Sequence, residues 1–255
     1  MLFFKKLSHS FELIIQKFTK RSSPVLSAKH AYEMWADSYD QELKNGNLMV
    51  FYNDLLVDYY FANLDARGMI VCDFGAGTGR HRAKLMERKP KRWIGCDTSA
   101  AMLDKLRLID SQAEVYELEN HTMPFLKDNE LDLLFSSLTI GHIKDIGATL
   151  KEWNRTLKPG GKIFITMVHP ILAKYKEVRS FKDSLGRVRI IENYRHEPET
   201  LKRIFSDMGW VIKTTKEVSI DERAYSTLKE IGKLHLYERS KKEPMILEYQ
   251  LEKVY

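Results

Sequence analysis

Met69-Ile70-Val71-Cys72-Asp73-Phe74-Gly75-Ala76-Gly77-Thr78-Gly79-Arg80 decides how the chain is read. An apolar run of strand length closes on an acid, glycines follow at alternate positions, and a segment with helical character comes next. Glycine lets backbone approach a ligand closely, and a helix N-terminus offers unpaired N–H groups. The order therefore suits a nucleotide-like ligand above the carboxyl end of a strand. By itself the cluster serves equally well as a tight turn with no ligand.

Downstream of this stretch, strand and helix patterns alternate. Residues 81–88 read as a helix stopped by Lys89-Pro90, and 92–97 form a second apolar run, again closing on an acid. Thr98 or Ser99 can cap a helix carrying Met102, Leu103 and Leu106. Residues 113–118 and 131–136 read as a third and a fourth strand. The helix from Asp145 places Ile146, Leu150, Trp153 and Leu157 at steps of four, three and four. Leu157-Lys158-Pro159-Gly160-Gly161 is a helix stop and a turn before a fifth strand over 162–168. An irregular stretch from His169 to His196 holds a turn at Ser184-Leu185-Gly186-Arg187 between two short extended arms. Pro198 then opens a helix that Gly209 closes. Residues 210–218 and 245–254 read as a sixth and a seventh strand, joined by a polar helical connector.

Working upstream, residues 29–67 have helical periodicity, and Trp35 and Tyr39 lie one turn apart within a dense aromatic run. The whole predicts an α/β fold: a Rossmann-like, doubly wound, seven-stranded and mostly parallel sheet with an antiparallel edge strand, plus an N-terminal helical cap. The expected organisation is a basic amphipathic segment over 1–28 and one domain over 29–255, with 29–67 as the cap and 169–197 as an insertion.

The 255 residues suffice for a sizeable core, and 44% apolar with 30% charged residues is ordinary for a globular protein. A formal net charge of +6, interleaved with 35 acids, reads as solubility rather than a nucleic-acid surface. Cys72 and Cys96 both sit in strand-like runs and suggest neither a metal site nor a disulfide framework, so a reducing cytoplasm is the simpler location. No run reaches the roughly 18 apolar residues of a membrane span. In residues 1–21, apolar side chains such as Leu2, Phe3, Phe4 and Leu7 alternate with Lys5, Lys6, Lys17, Lys20 and Arg21, without a signal-peptide pattern. Two readings stay open there: a helix or loose segment against the main domain, and an amphipathic helix in weak peripheral contact with an anionic membrane.

Asp97 lies 22 residues after Gly75, where the acid ending a second strand meets a ribose diol. Asp73 and Asp97 are thus expected at one pocket. A dinucleotide fold wants G-x-G-x-x-G with its pyrophosphate at the helix terminus; here the spacing is G-x-G-x-G with Asp73 two places ahead. A ligand with an amino-acid head and one ribose fits better.

On these residues the chain resembles the class I methyltransferases that use S-adenosylmethionine, in particular the small-molecule group related to the quinone-biosynthesis methyltransferases. Asp73 to Gly79 looks like the family's first motif, and Gly95-Cys96-Asp97-Thr98-Ser99 with Met102-Leu103 like its second. Glu119-Asn120-His121-Thr122-Met123-Pro124-Phe125 is similar to the adenine-holding segment, and Ser136 to His142 and Leu157 to Gly161 complete the order from about Ala31 to the C-terminus. The resemblance implies that Gly75, Gly77 and Gly79 wrap the methionine portion of S-adenosylmethionine with Asp73 near its ammonium group. It implies that Asp97, beside Thr98, accepts from the ribose hydroxyls and that Met102 packs on the adenine, for which plain core packing is the competing reading. Glu119 stands where the family more often has Asp, and Asn120 would contact the adenine through backbone. Ser136 and Leu138 would line the transfer channel, core packing again competing at Leu138, and Tyr39 would cover the methionine end.

The acceptor is narrowed by absences. Where nucleic-acid amino methylation in this family uses an Asn-Pro-Pro-aromatic segment, this chain has Ser136-Ser137-Leu138-Thr139; no catalytic-loop cysteine, glutamate pair or metal-binding acids follow strands four and five. A small-molecule or lipid-like acceptor is expected, methylated at oxygen, nitrogen or carbon, and nucleic acid is not. If the nucleophile must lose a proton, His142, His169 and His196 are the candidate bases, and Tyr194 is a candidate for the acceptor pocket, on the side of the 169–197 insertion. Two alternatives remain: a cofactor-binding module that has lost catalysis, and a nicotinamide-dependent oxidoreductase, which the glycine spacing disfavours.

Overall fold

The computed structural model describes residues 24–44, 47–175, 179–230, 232 and 234–255. Residues 1–23, on which the expectation of a membrane contact rests, lie outside them. The described chain opens with β1 (Val25–Leu26) and the cap helices α1 (Ala28–Trp35), α2 (Tyr39–Lys44) and α3 (Leu48–Ala62). The alternating part follows: β2 (Ile70–Phe74), α4 (Arg82–Met86), β3 (Arg92–Asp97), α5 (Ala100–Ile109), β4 (Glu114–Glu117), β5 (Leu131–Ser137), α6 (Ile146–Thr156) and β6 (Leu157–Val168). Then come a hairpin of β7 (Ser180–Lys182) and β8 (Val188–Ile191), helix α7 (Pro198–Asp207), β9 (Trp210–Val218), α8 (Arg223–Glu230), α9 (His235–Ser240) and β10 (Ile246–Lys253).

Helix starts follow local chemistry. The side chains of Ser27, Asn47, Ser99 and Asp145 accept from the backbone N–H three residues on, each taking one of the donors a helix N-terminus leaves unpaired. Ser99, rather than Thr98, is the cap of α5.

The main sheet has seven strands in the order β4-β3-β2-β5-β6-β10-β9. β4 to β6 are parallel, and β10 runs antiparallel to both its neighbours. The antiparallel pairing expected at one edge is therefore made by β10, which slots between β6 and the outermost strand β9. Leu157 to Gly161 differs from expectation: it belongs to β6, whose pairing with β5 shifts register between Leu131 and Leu133. The turn-like residues form a bulge within a strand instead of preceding one. The hairpin in the insertion joins a second, three-stranded sheet, in which β8 runs parallel to β1. That pairing ties the insertion to the start of the cap.

Apolar layers cover both faces of the main sheet. On one, Trp153 of α6 and Phe205 of α7 pack with Phe74 and Tyr249, all buried. On the other, Tyr60 and Phe61 of α3 meet Phe135 and Phe164, with ring centroids at 4.2 Å for Tyr60–Phe164 and 5.3 Å for Phe135–Phe164. A third cluster joins Tyr52 and Leu56 of α3 to Ala224 and Leu228 of α8, so the connector closes the underside of the cap.

Because Phe135 is fully buried and touches Phe61, Phe164 and His81, Phe135→Ala is expected to cost about 3–5 kcal/mol of unfolding free energy. Urea denaturation checks this; a loss well under about 1 kcal/mol would mean that this layer is loosely packed.

Candidate functional site

Strand order reverses between β2 and β5, since β3 and β4 lie to one side and β6 to the other. In a parallel sheet that reversal opens a crevice at the carboxyl ends of the strands. A cavity occupies it. Phe74 and Gly75 follow β2 into it, Asp97 and Thr98 end β3, Leu118 follows β4, and Ser137, Leu138 and Thr139 follow β5. The cap and the insertion close the cavity from above through Tyr32, Tyr39, His142 and Arg179.

The glycine loop is shaped by its neighbours. Gly75 has φ +80° and lies under Thr139, whose Oγ1 would be 2.2 Å from an added Cβ. Gly79, also at positive φ, packs on Leu106 of α5 and does not line the cavity, so it holds helix against loop. Gly77 does line it, and its N–H donates to Asp97 Oδ2 at 2.9 Å, while Ser99 N–H donates to Oδ1 at 2.9 Å. A carboxylate has about four acceptor positions, so Asp97 keeps capacity facing the cavity.

Asp73 is almost wholly buried, and burial, reinforced by the nearby charge of Asp97 and opposed by Arg80, pushes its carboxyl up to about 7. It lies behind the cavity wall rather than on it. Arg80, which does line the cavity, pairs with Asp54 of α3. Thr78 Oγ1 donates to Asp40 of α2 at 2.7 Å, so the cap is anchored to the glycine loop through polar contacts.

Among the residues expected at the site, Tyr39, Gly75, Gly77, Asp97, Thr98, Met102, Leu138 and His142 are brought together at the cavity. Others are placed elsewhere. Side chains alternate along a strand, so Ser137, not Ser136, turns to the cavity, where its Oγ accepts from Asn53 Nδ2 at 2.9 Å. Ser136 is fully buried. Glu119 and Asn120 do not line the cavity, and the neighbouring His121 does; Asn120 and His121 both have positive φ, a tight turn that swings the imidazole inward. Leu138 also has φ +55°, a costly conformation for a branched side chain.

The three candidate bases separate clearly. His169 is buried away from the cavity, with Nδ1 accepting from Ile171 N–H at 3.2 Å and Nε2 facing Glu217 at 3.5 Å. His196 Nε2 lies 3.0 Å and 2.9 Å from the carbonyls of Ile140 and Ile143. A nitrogen between two acceptors carries the proton, so His196 pins the turn after β5 and takes no part in the cavity. Tyr194 likewise lies off the cavity and contributes its N–H to Gly141 O at 2.7 Å.

Of the three, His142 stands in the cavity. Its Nδ1 is 3.1 Å from Glu192 O and must donate, leaving Nε2, 3.1 Å from Tyr32 Oη, to accept from the phenol. Burial, with the nearby Arg179 charge, lowers its pKa to about 4. The sequence does not single out Tyr32, Arg80 or Arg179 for the site, and it offers His121 only as part of the adenine-holding stretch from Glu119 to Phe125. Tyr32 and Arg179 come from segments brought together only by the β1–β8 pairing, whereas Arg80 directly follows the glycine loop and was within reach of motif reading.

Residues 72–165 match the family described as a methyltransferase domain. A methyltransferase domain is thus matched over that part of the chain. It is 36% identical over 99 residues to a malonyl-[acyl-carrier protein] O-methyltransferase of Yersinia pestis, covering 39% of this chain and 36% of that one. It is 29% identical over 168 residues to a ubiquinone/menaquinone biosynthesis C-methyltransferase of Shewanella frigidimarina, covering 56% and 66% respectively. The match thus spans only about a third of the first relative's length. An S-adenosylmethionine-dependent methyltransferase structure from Mesorhizobium loti shares the fold, with a TM-score of 0.58 at 18% identity over 75% of this chain and 94% of that one.

The low pKa of His142 gives a signed prediction. As pH falls from about 6.5, the ordinary histidine value, towards about 4, the unfolded chain takes up a proton that the folded imidazole refuses, so stability falls. His142→Gln is expected to flatten this part of the curve, read as urea midpoints against pH. An unchanged slope would show that His142 is protonated normally in the fold.

Proposed function

We propose that the chain transfers a methyl group from S-adenosylmethionine to a small-molecule acceptor seated on the Tyr32, His142 and Arg179 side of the cavity. The observation that carries this reading is Asp97: a carboxylate at the end of β3, oriented by Gly77 and Ser99 N–H groups and still able to accept hydrogen bonds. Such a group suits a ribose diol. The site fits the rest of the cofactor as well. His121 Nδ1 is buried without a partner among the described residues and lies at the end where an adenine would rest between Leu118 and Met102. Asp73 behind the glycine loop, its carboxyl pushed up to about 7 by burial, would be drawn toward its ionised form by a cationic methionine head.

When bound, the cofactor supplies a methyl carbon on a positively charged sulfur, which becomes a neutral thioether as the acceptor atom takes the methyl. The protein's part is to position and to exclude water. Leu138, Ile143 and Val50 provide apolar walls, and Tyr39 and Tyr32 cover the cavity. His142 orients the Tyr32 hydroxyl. With a pKa of about 4 it stores a proton poorly at neutral pH, so the reading favours an acceptor atom that has no proton to lose, or loses it to water.

Asp97→Ala removes both the ribose acceptor and the anchor of Gly77. Loss of charge-assisted hydrogen bonds worth about 1.5–3 kcal/mol should weaken S-adenosylhomocysteine binding roughly 10- to 100-fold. Isothermal titration of wild type and variant checks this, together with transfer of labelled methyl into a cell extract. Equal affinity for the two proteins would remove the assignment, and cofactor binding without transfer to any acceptor would favour a non-catalytic module.

A further inference from the structure

Arg179 precedes β7 and lines the cavity on the acceptor side. Its guanidinium lies over two aromatic faces, 5.9 Å from the Tyr32 ring centroid and 5.8 Å from that of Trp35. Its Nε is buried without a hydrogen-bond partner, and no carboxylate pairs with it among the described residues. The groups around it compensate without opposite charge: Tyr32 accepts a hydrogen bond from the guanidinium and donates its own to His142, and His142 is neutral. The other arginine on the cavity wall, Arg80, is already paired with Asp54.

A guanidinium held out of bulk water costs free energy unless it meets an anion. Its planar fork matches a carboxylate in two parallel hydrogen bonds. One positive charge with no carboxylate partner, on the aromatic side of the cavity, balances a monoanion; a phosphate dianion would call for more. We infer that the methyl acceptor carries a carboxylate, which Arg179 binds. The inference deepens the methyl-transfer reading of the same cavity and rests on it. It also accounts for the weak proton sink at His142, because binding an anion through Arg179 asks nothing of a base.

The test uses the full chain and simple probes: octanoate and benzoate, with octanamide and benzamide as neutral counterparts of the same shape. Each is titrated calorimetrically with and without S-adenosylhomocysteine, against wild type, Arg179→Met and Arg179→Lys. At least one acid should bind wild type ten-fold or more tightly than its amide. Arg179→Met should lose at least ten-fold in affinity for that acid while S-adenosylhomocysteine affinity stays within two-fold, and Arg179→Lys should be intermediate. Thermal unfolding separates a site role from a structural one: an arginine kept for a ligand leaves Tm unchanged or raised when replaced by Met.

The inference is overturned if acids and amides bind alike or not at all, or if Arg179→Met binds the acid as wild type does. It is also overturned if the Met variant loses S-adenosylhomocysteine ten-fold, the guanidinium then serving the cofactor's own carboxylate, or if both variants unfold several degrees early. Arg179-dependent acid binding in a protein that does not bind S-adenosylhomocysteine would sink the methyl-transfer reading instead and leave the carboxylate site standing.

Discussion

Gly77 N–H meets one oxygen of Asp97 and Ser99 N–H meets the other, both at 2.9 Å. These two bonds join the loop after β2 to the start of α5, and the cavity's shape follows from them. The loop can make its turn only because Gly75 sits at φ +80° beneath Thr139, which follows β5. β2, β3 and β5 thus converge on one point, the place where strand order reverses. The price of that convergence is a buried Asp73 carboxyl that the nearby charge of Asp97 makes harder still to ionise.

The upper half of the cavity depends on a longer chain of contacts. β8 pairs in parallel with β1, and Glu192 just beyond β8 donates its N–H to Leu26 O and accepts from His142. His196 binds two carbonyls of the turn after β5, and Tyr194 N–H binds a third. The insertion therefore holds the β5 turn and the first cap helix in one frame, and Trp35 stacks on Phe181 of β7 at 5.0 Å within it. Pocket walls built this way need no regular helix or strand at the ligand itself. They need only that each loop end be tied to backbone groups of another.

This division explains what could be read from the chain before it folded. Short-range patterns carried the lower half: strand-length runs closing on acids, glycines at alternate places and a capped helix locate Asp97, Gly77 and Met102 without any long-range information. Gly79 shows the limit of motif reading, because the same spacing serves helix packing on Leu106 as readily as a ligand. Ser136 against Ser137 turns on one step of strand alternation, which two adjacent serines leave undetermined. Arg179, Tyr32 and the separate fates of His142, His169 and His196 depend on contacts between residues more than a hundred positions apart or within irregular backbone. No local periodicity encodes those.

Unfavourable terms are found at the cavity and away from it. Away from the cavity, two buried charges are well matched, since Asp183 accepts from Leu185 and Arg187 backbone and from the side chains of Arg187 and Arg189, and Lys253 donates to the carbonyls of Asn154 and Leu157, whereas Glu248 Oε2 has no partner among the described residues. Others lie at the cavity. Asp73 is buried with no hydrogen-bond donor of its own among the described contacts, Leu138 holds a left-handed backbone, and Arg179 Nε and His121 Nδ1 lack partners. Each such term costs about 1–3 kcal/mol in isolation, so a chain selected for stability alone would have removed them. Unpartnered buried atoms occur elsewhere in the fold too, but the groups around the crevice, Arg179 and His121 among them, are the ones whose missing partners a ligand can supply. Their arrangement, acids toward the glycine loop and a cation toward the insertion, gives the two halves of that crevice opposite charge preferences.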